Sequence, residues 1–114
     1  MSIVLKTDLF APMEIWEVPF DQQTIKFKEP LILTPKRVPD DPEEPEMQKE
    51  YLQIICPELA IDVFAENRDD LLDAVYSNIR MNWKHFVLKE DRHLTSATLA
   101  IKNAYLQCSE VVDG

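Results

Sequence analysis

The chain has 114 residues, a length that accommodates a single domain over 1–114, and its 46% apolar and 29% charged residues are typical of a globular protein. Its one glycine is the last residue, Gly114, so the chain lacks the internal glycine turns on which P-loops, dinucleotide-binding folds and nucleophile elbows depend. The net charge of −9 repels nucleic acid phosphates and anionic membranes; it favours a basic protein partner, or it serves only solubility.

Residues 1–29 predict an N-terminal extension made of short β-strands. Residues 15–18 are mostly β-favouring and lie between two prolines, and residues 24–28 alternate apolar and polar side chains with the period of a half-buried strand. Pro30 interrupts this pattern, and residues 31–34 then predict a separate short strand.

An acidic, proline-rich segment follows over residues 38–49. Its prolines recur at intervals of about three residues, which favours an extended conformation that cannot join a sheet. Five acids fall within seven positions and repel one another. We interpret the segment either as a solvated loop between two strands or as an acidic arm that contacts a basic partner. The candidate partner-binding residues are Asp40, Asp41, Glu43, Glu44 and Glu46.

Residues 50–88 have the pattern of a hairpin followed by a long helix. Two apolar strands, 51–56 and 60–65, are separated by a short connection, which indicates a hairpin. Asn67 has the features of a helix N-cap, with Asp70 at the capping-box spacing, and apolar residues then recur every three or four positions. The residues predicted for the core are Ile54, Phe64, Leu72, Val75, Ile79 and Trp83.

A second helix is predicted near the C-terminus, over residues 95–110. Thr95 or Ser96 can cap its first turn, and apolar residues continue along one face to Val111. Strand periodicity before residue 66 and helix periodicity after it indicate an α+β fold. We expect a small antiparallel β-sheet packed against the long amphipathic helix, with the second helix at the C-terminal end.

Candidate catalytic and metal-binding groups are few. His85 and His93 belong to no known motif and are expected to be exposed. Asp69, Asp70 and Asp73 form a carboxylate cluster in the sequence, but the helix dipole already favours acids in a first turn without a metal. The sequence therefore predicts no metal site.

The two cysteines, Cys56 and Cys108, fall on apolar patterns and are interpreted as core residues rather than nucleophiles. They provide neither a disulfide framework nor a metal knuckle. We expect no disulfide, no cofactor and no enzymatic activity. The absence of a signal peptide and of a long apolar run indicates a cytoplasmic protein that does not engage a membrane.

The region 51–87 contains Cys-Pro-Glu-Leu-Ala-Ile-Asp at 56–62, Val-Phe-Ala-Glu at 63–66 and Asn-Arg-Asp-Asp-Leu-Leu at 67–72. This order resembles the core of HicB-like antitoxins, in which a Pro-Asp-Leu-Pro-Gly-Cys turn follows a strand and precedes a second strand and a helix. The chain departs from that turn because alanine and isoleucine replace its second proline and its glycine, so another geometry must close the hairpin.

The resemblance also has implications outside the region 51–87. Residues 31–37 would be the first strand of the family, and the acidic segment would be an enlarged hairpin loop. The C-terminal helix does not resemble the DNA-binding extension of the family. The resemblance therefore implies a stand-alone neutralising module that does not bind an operator.

Two functions follow from these observations. The first is a non-enzymatic binding module that engages a basic protein partner, which the resemblance implies to be a small RNase-type toxin. The second is an acidic structural, assembly or inhibitor protein that mimics nucleic acid, which the charge supports equally well. Direct binding of nucleic acid is disfavoured by the same charge, and a homo-oligomer stays open as an alternative.

Overall fold

A computed structural model describes residues 9–39 and 50–113 of the chain. The described strands and helices are, in chain order, β1 (Met13–Phe20), β2 (Gln23–Leu33), β3 (Lys36–Pro39), β4 (Glu50–Cys56), β5 (Ile61–Ala65), α1 (Arg68–Asn82), α2 (Ser96–Cys108) and β6 (Ser109–Asp113). A π-helical segment, Trp83–Val87, extends α1, and single 3-10 turns occupy Pro57–Leu59 and Asp91–His93.

The strands form two antiparallel sheets of three strands each, in the orders β1–β2–β6 and β3–β4–β5. Helix α1 packs against β1, β4 and β5, and therefore against both sheets. The predicted α+β class is confirmed, although the strands are divided between two sheets where one was expected. The division arises because, among the described residues, neither β2 nor β6 pairs with β3, β4 or β5; β6, from the far end of the chain, instead joins the N-terminal hairpin.

Strand β2 runs through Pro30 to Leu33, so the prediction of a separate strand over 31–34 is wrong. The pairing of β1 with β2 shifts register between Ile15 and Glu17, and the β2 residues opposite that shift, including Pro30, have no partner in β1. Pro30 also lies beyond the part of β2 that pairs with β6. A residue without an N–H group is tolerated here because no ladder bond is required of it.

The C-terminal helix ends earlier than predicted, at Cys108 instead of residue 110. Its N-terminus lies at the predicted place, where the Thr95 side chain accepts a hydrogen bond from the Thr98 amide at 3.2 Å. At the other end, the Ser109 hydroxyl donates to the Tyr105 carbonyl at 2.5 Å, and the chain then turns into β6. This strand pairs with the beginning of β2, about 85 residues away in the sequence.

The predicted hairpin is confirmed as β4 and β5, joined by the 3-10 turn. Ala60 closes the hairpin with a φ of 53°, a left-handed conformation that favours glycine. Its amide donates to the Pro57 carbonyl at 3.1 Å. Ala60 thus closes the hairpin without a glycine. Of the expected first strand 31–37, only its last two residues pair with β4, because β3 begins at Lys36.

Polar side chains attach this hairpin turn to both helices. The Asn82 side-chain amide donates to the carbonyls of Leu59 and Ala60, each at 2.9 Å, and the Asn78 amide also donates to the Ala60 carbonyl at 3.1 Å. The Tyr105 hydroxyl donates to the Leu59 carbonyl at 2.6 Å. These contacts hold Ala60 in its strained conformation, since several bonds would be lost if the turn relaxed.

Helix α1 begins where the sequence predicts. The Asn67 side chain accepts a hydrogen bond from the Asp70 amide at 2.8 Å and donates to the Asp70 carboxylate at 3.0 Å. These bonds satisfy a backbone donor of the first turn and fix the helix start. In the described ranges 9–39 and 50–113, no helix combines the length and the apolar character needed to cross a bilayer.

The core predicted from the sequence is correct for four residues and wrong for one. Ile54, Val75, Ile79 and Trp83 are buried, and Leu72 is partly buried against the same cluster. Phe64, however, is 64% exposed. Strand β5 directs Ile61 into the core, and the alternation of side chains along a strand then places Phe64 on the opposite face.

Candidate protein-binding face

The predicted partner-binding residues lie in the segment 40–49, outside the described residues: Asp40, Asp41, Glu43, Glu44 and Glu46. The structure describes the two backbone positions between which this segment is attached. Pro39 at the end of β3 pairs with Glu50 at the start of β4. The acidic segment therefore connects two neighbouring strands of the β3–β4–β5 sheet, and it is attached at one end of that sheet.

One face of this sheet is packed on the protein interior, and the other is exposed. Leu52 and Ile54 of β4 are buried, whereas Ile55 is 51% exposed. The register places six described side chains on the exposed side, which we term the open face. These are Lys36, Tyr51, Gln53, Ile55, Asp62 and Phe64.

Two diagonal contacts between β4 and β5 organise the open face. The rings of Tyr51 and Phe64 meet edge to face, with centroids 5.6 Å apart and planes at 85°. The Gln53 side-chain amide donates to the Asp62 carboxylate at 3.0 Å. Contacts of this kind limit the rotamers of both partners. The open face is thus an ordered surface on which an aromatic pair lies beside a polar pair.

Strand β5, one of the two edge strands of this sheet, is also hydrogen-bonded to helix α1. The Asp62 amide donates to the Asn78 side-chain oxygen at 3.2 Å. This bond occupies a backbone donor that an edge strand otherwise offers to a further strand. At Asp62, this donor is therefore not available for pairing with a further strand.

The cysteines, predicted from their apolar patterns to be core residues, are partly buried at the edge of the core. Cys56 and Cys108 are free thiols, and both pack against the core. Burial raises the pKa of each thiol above its ordinary value, and for Cys56 the neighbouring Glu58 carboxylate, at 3.5 Å from its sulfur, adds to the effect. Both groups are therefore protonated at neutral pH, and a protonated thiol is a poor nucleophile.

The other groups singled out in the sequence lie apart from the open face. His85 and His93 are exposed, as predicted, and so are Asp69 and Asp73 near the start of α1. Asp70 acts in the N-cap of that helix. Among the residues that the structure describes, no three or more histidine, cysteine or acidic side chains are grouped so that they could hold a metal ion.

A second pair of exposed apolar residues lies on the other sheet. Trp16 is 56% exposed and Ile32 is 51% exposed. Trp16 lies within the irregular stretch of β1, where the register with β2 shifts. Among the described residues, Trp16 makes no ring contact of the kind that joins Tyr51 and Phe64. These two residues serve as references for the open face, because each is an exposed apolar residue on a strand and their exposures are close to those of Phe64 and Ile55.

The sequence contained a signal for the open face that the core prediction missed. In β4 and β5 the polar residues Gln53 and Asp62 share one face, and strand alternation assigns Tyr51, Ile55 and Phe64 to that same face. Apolar content alone suggested that Phe64 is buried. The polar residues two positions away indicate that its side of the strand is exposed.

Comparison with family models, with curated proteins and with solved structures finds no match for this chain.

Proposed function

We propose that the protein is a cytoplasmic, non-enzymatic binding module that engages a basic protein partner. The observation that carries this proposal is the concentration of charge in one connection. Residues 40–49 contain five of the 21 acids and one of the 12 bases, so ten residues supply −4 of the net charge of −9. The segment that carries this charge joins the end of β3 to the start of β4, where the open face begins.

The acidic segment would act mainly on the rate of encounter. Exposed ion pairs contribute only about 0–1 kcal/mol each to affinity. A concentrated field of one sign nevertheless steers an oppositely charged partner and raises the association rate, by an amount that falls as salt screens the charges. We therefore assign Asp40, Asp41, Glu43, Glu44 and Glu46 to association, and the slow dissociation of a complex to apolar contacts elsewhere.

The resemblance to HicB-like antitoxins suggests a particular partner. The described order of β4, turn, β5 and α1 is the order that the resemblance implies for 51–87. Under that reading, the partner is a small basic RNase-type toxin, and the module neutralises it. Fold alone does not determine function, so this assignment depends on identifying the partner.

The test is affinity capture from a lysate of cells that express the protein naturally. The full chain and a variant with all five acids of the segment neutralised to asparagine and glutamine are immobilised side by side. We expect the natural chain to retain a strongly basic protein that the neutralised variant recovers poorly. Stopped-flow association with the purified partner should then be slower for the variant at low salt, and the two rates should converge at high salt.

Equal association rates for both chains at every salt concentration would refute the role of the segment, which would then be a solvated loop. The alternative function, an acidic inhibitor that mimics nucleic acid, makes a different prediction. In that case, the captured protein binds DNA or RNA, and added nucleic acid displaces this chain from it. If the first proposal holds in its narrower form, the captured protein cleaves RNA and this chain suppresses the cleavage.

A further inference from the structure

We propose, resting on the function proposed above, that the open face is the surface on which the basic partner docks, with the Tyr51–Phe64 pair as its anchor. The partner would present an arginine next to an apolar side chain. The guanidinium would lie against an aromatic ring and the Asp62 carboxylate, and the apolar side chain would pack on Ile55.

The first argument is the burial pattern. Phe64 and Ile55 are 64% and 51% exposed on adjacent strands, and Tyr51 contacts Phe64 on the same face. Exposed apolar residues that occur singly are ordinary, but an exposed aromatic pair bordered by polar groups is typical of an interaction surface. The Gln53–Asp62 pair borders the two rings and separates them from Ile55. Aromatic residues are also enriched at the energetic centres of protein interfaces. The aromatic pair, with Ile55 on the far side of the polar pair, therefore offers the apolar contacts that the acidic segment lacks.

The second argument is that the face is ordered before it binds. The ring contact between Tyr51 and Phe64 and the hydrogen bond between Gln53 and Asp62 both limit side-chain rotation. The Asn78 bond to the Asp62 backbone restrains the strand itself. Less conformational entropy is lost when a partner meets side chains that are already held in place.

The third argument identifies the occupant. A second copy of this chain would bring a further charge of −9 against the same surface, so charge disfavours a homodimer and favours a basic protein. The face itself has an acceptor for a cation in Asp62 and aromatic rings in Tyr51 and Phe64. Arginine satisfies both, because its planar cation stacks on a ring and donates to a carboxylate.

The position of Lys36 predicts where the partner's arginine lies. Lys36 and Phe64 both pair with Gln53, from opposite sides of β4. They are therefore two strand spacings apart, about 10 Å at the usual spacing of about 4.8 Å per strand. Repulsion by the ammonium group would keep a cation of the partner away from β3 and on the β5 side, where Asp62 is located.

Photo-cross-linking in the natural host tests the proposal. The cross-linking residue p-benzoylphenylalanine replaces Phe64 in one full-length chain and Trp16 in a matched control chain, since both natural residues are exposed aromatics on strands. We expect a covalent adduct with the basic partner from position 64 and little or none from position 16. Mass spectrometry of the adduct identifies the protein and the cross-linked peptide, which should contain an arginine close to the cross-link.

Dissociation kinetics with the captured partner provide a quantitative arm. Phe64→Ala is compared with Trp16→Ala, and Ile55→Ser with Ile32→Ser, because each pair has similar exposure on different sheets. We expect the open-face variants to dissociate about ten-fold faster or more, as is typical of an interface anchor, and the controls to change less than about two-fold. Unfolding measurements on all four variants show whether each is folded.

The outcomes separate this inference from the function on which it rests. If the natural chain captures a basic protein and the neutralised variant associates more slowly, but position 64 gives no adduct and Phe64→Ala dissociates normally, the inference fails and the function stands. An adduct between two copies of this chain would assign the face to a homodimer and overturn the inference. Failure to capture any basic protein would refute both.

Discussion

Replacing Ile79 by alanine is expected to lower the free energy of unfolding by about 3 kcal/mol, within a range of roughly 2–5. Ile79 is 0% exposed in α1 and belongs to the core cluster shared by the helix and both sheets. The substitution removes three carbons, which corresponds to about 2.4 kcal/mol of lost transfer free energy at about 0.8 kcal/mol per carbon. The remaining cost comes from the cavity, which the surrounding strands and helix fill only in part.

The assay is urea denaturation followed by circular dichroism, with thermal unfolding as a second measurement. For a chain of 114 residues, 3 kcal/mol corresponds to a decrease in Tm of about 12 °C. Two exposed apolar residues serve as controls: Met81→Ala on the same helix, and Phe64→Ala on β5. Each control should cost much less than Ile79→Ala. A loss below about 0.5 kcal/mol for Ile79→Ala would show that the assigned buried faces are wrong. A loss for Phe64→Ala that exceeds the loss for Ile79→Ala would show the same.

Three further predictions concern titration, thiol reactivity and helix capping. Burial raises the pKa of Tyr105 to about 12, so the stability that its protonated hydroxyl contributes is complete below about pH 10 and is lost as the pH rises through 12. The free energy of unfolding, measured across this pH range, should therefore fall less steeply for Tyr105→Phe than for the natural chain. Cys56 and Cys108 should react slowly with iodoacetamide when folded, and both should be labelled after denaturation; a two-dalton mass deficit without labelling would indicate a disulfide. Asn67→Ala should cost about 1 kcal/mol in urea denaturation, whereas Asn67→Ser, which keeps a capping oxygen, should cost little; equal losses would argue against the cap bond to Asp70.

The elements that the sequence predicted correctly depend on local interactions. Helix α1 is specified by a stripe of apolar residues with helical spacing and by a cap that involves only Asn67 and Asp70. The β4–β5 hairpin is specified by two apolar runs separated by a short connection. In each case the residues that determine the element lie within a few positions of one another. A pattern read along the chain therefore contains the necessary information.

Residue pairings over long distances in the chain were not predictable in the same way. Strand β6 has only a short apolar pair, Val111 and Val112, and its strand conformation depends on pairing with β2. The ladder bonds that stabilise it are formed only when the two ends of the chain meet, so local propensity could not distinguish it from the end of α2.

The sequence by itself determined the charge of the protein, the position of the acidic segment, its α+β class and the local hairpin and helices. Only the tertiary structure decided which apolar residues are buried. In β5, Val63 and Phe64 are both apolar, and the packing of α1 selected the face that contains Ile61 and left Phe64 exposed. The register with β4 then placed Phe64 beside Tyr51. A candidate docking surface arises in this way because side chains on separate strands become neighbours only when the strands pair.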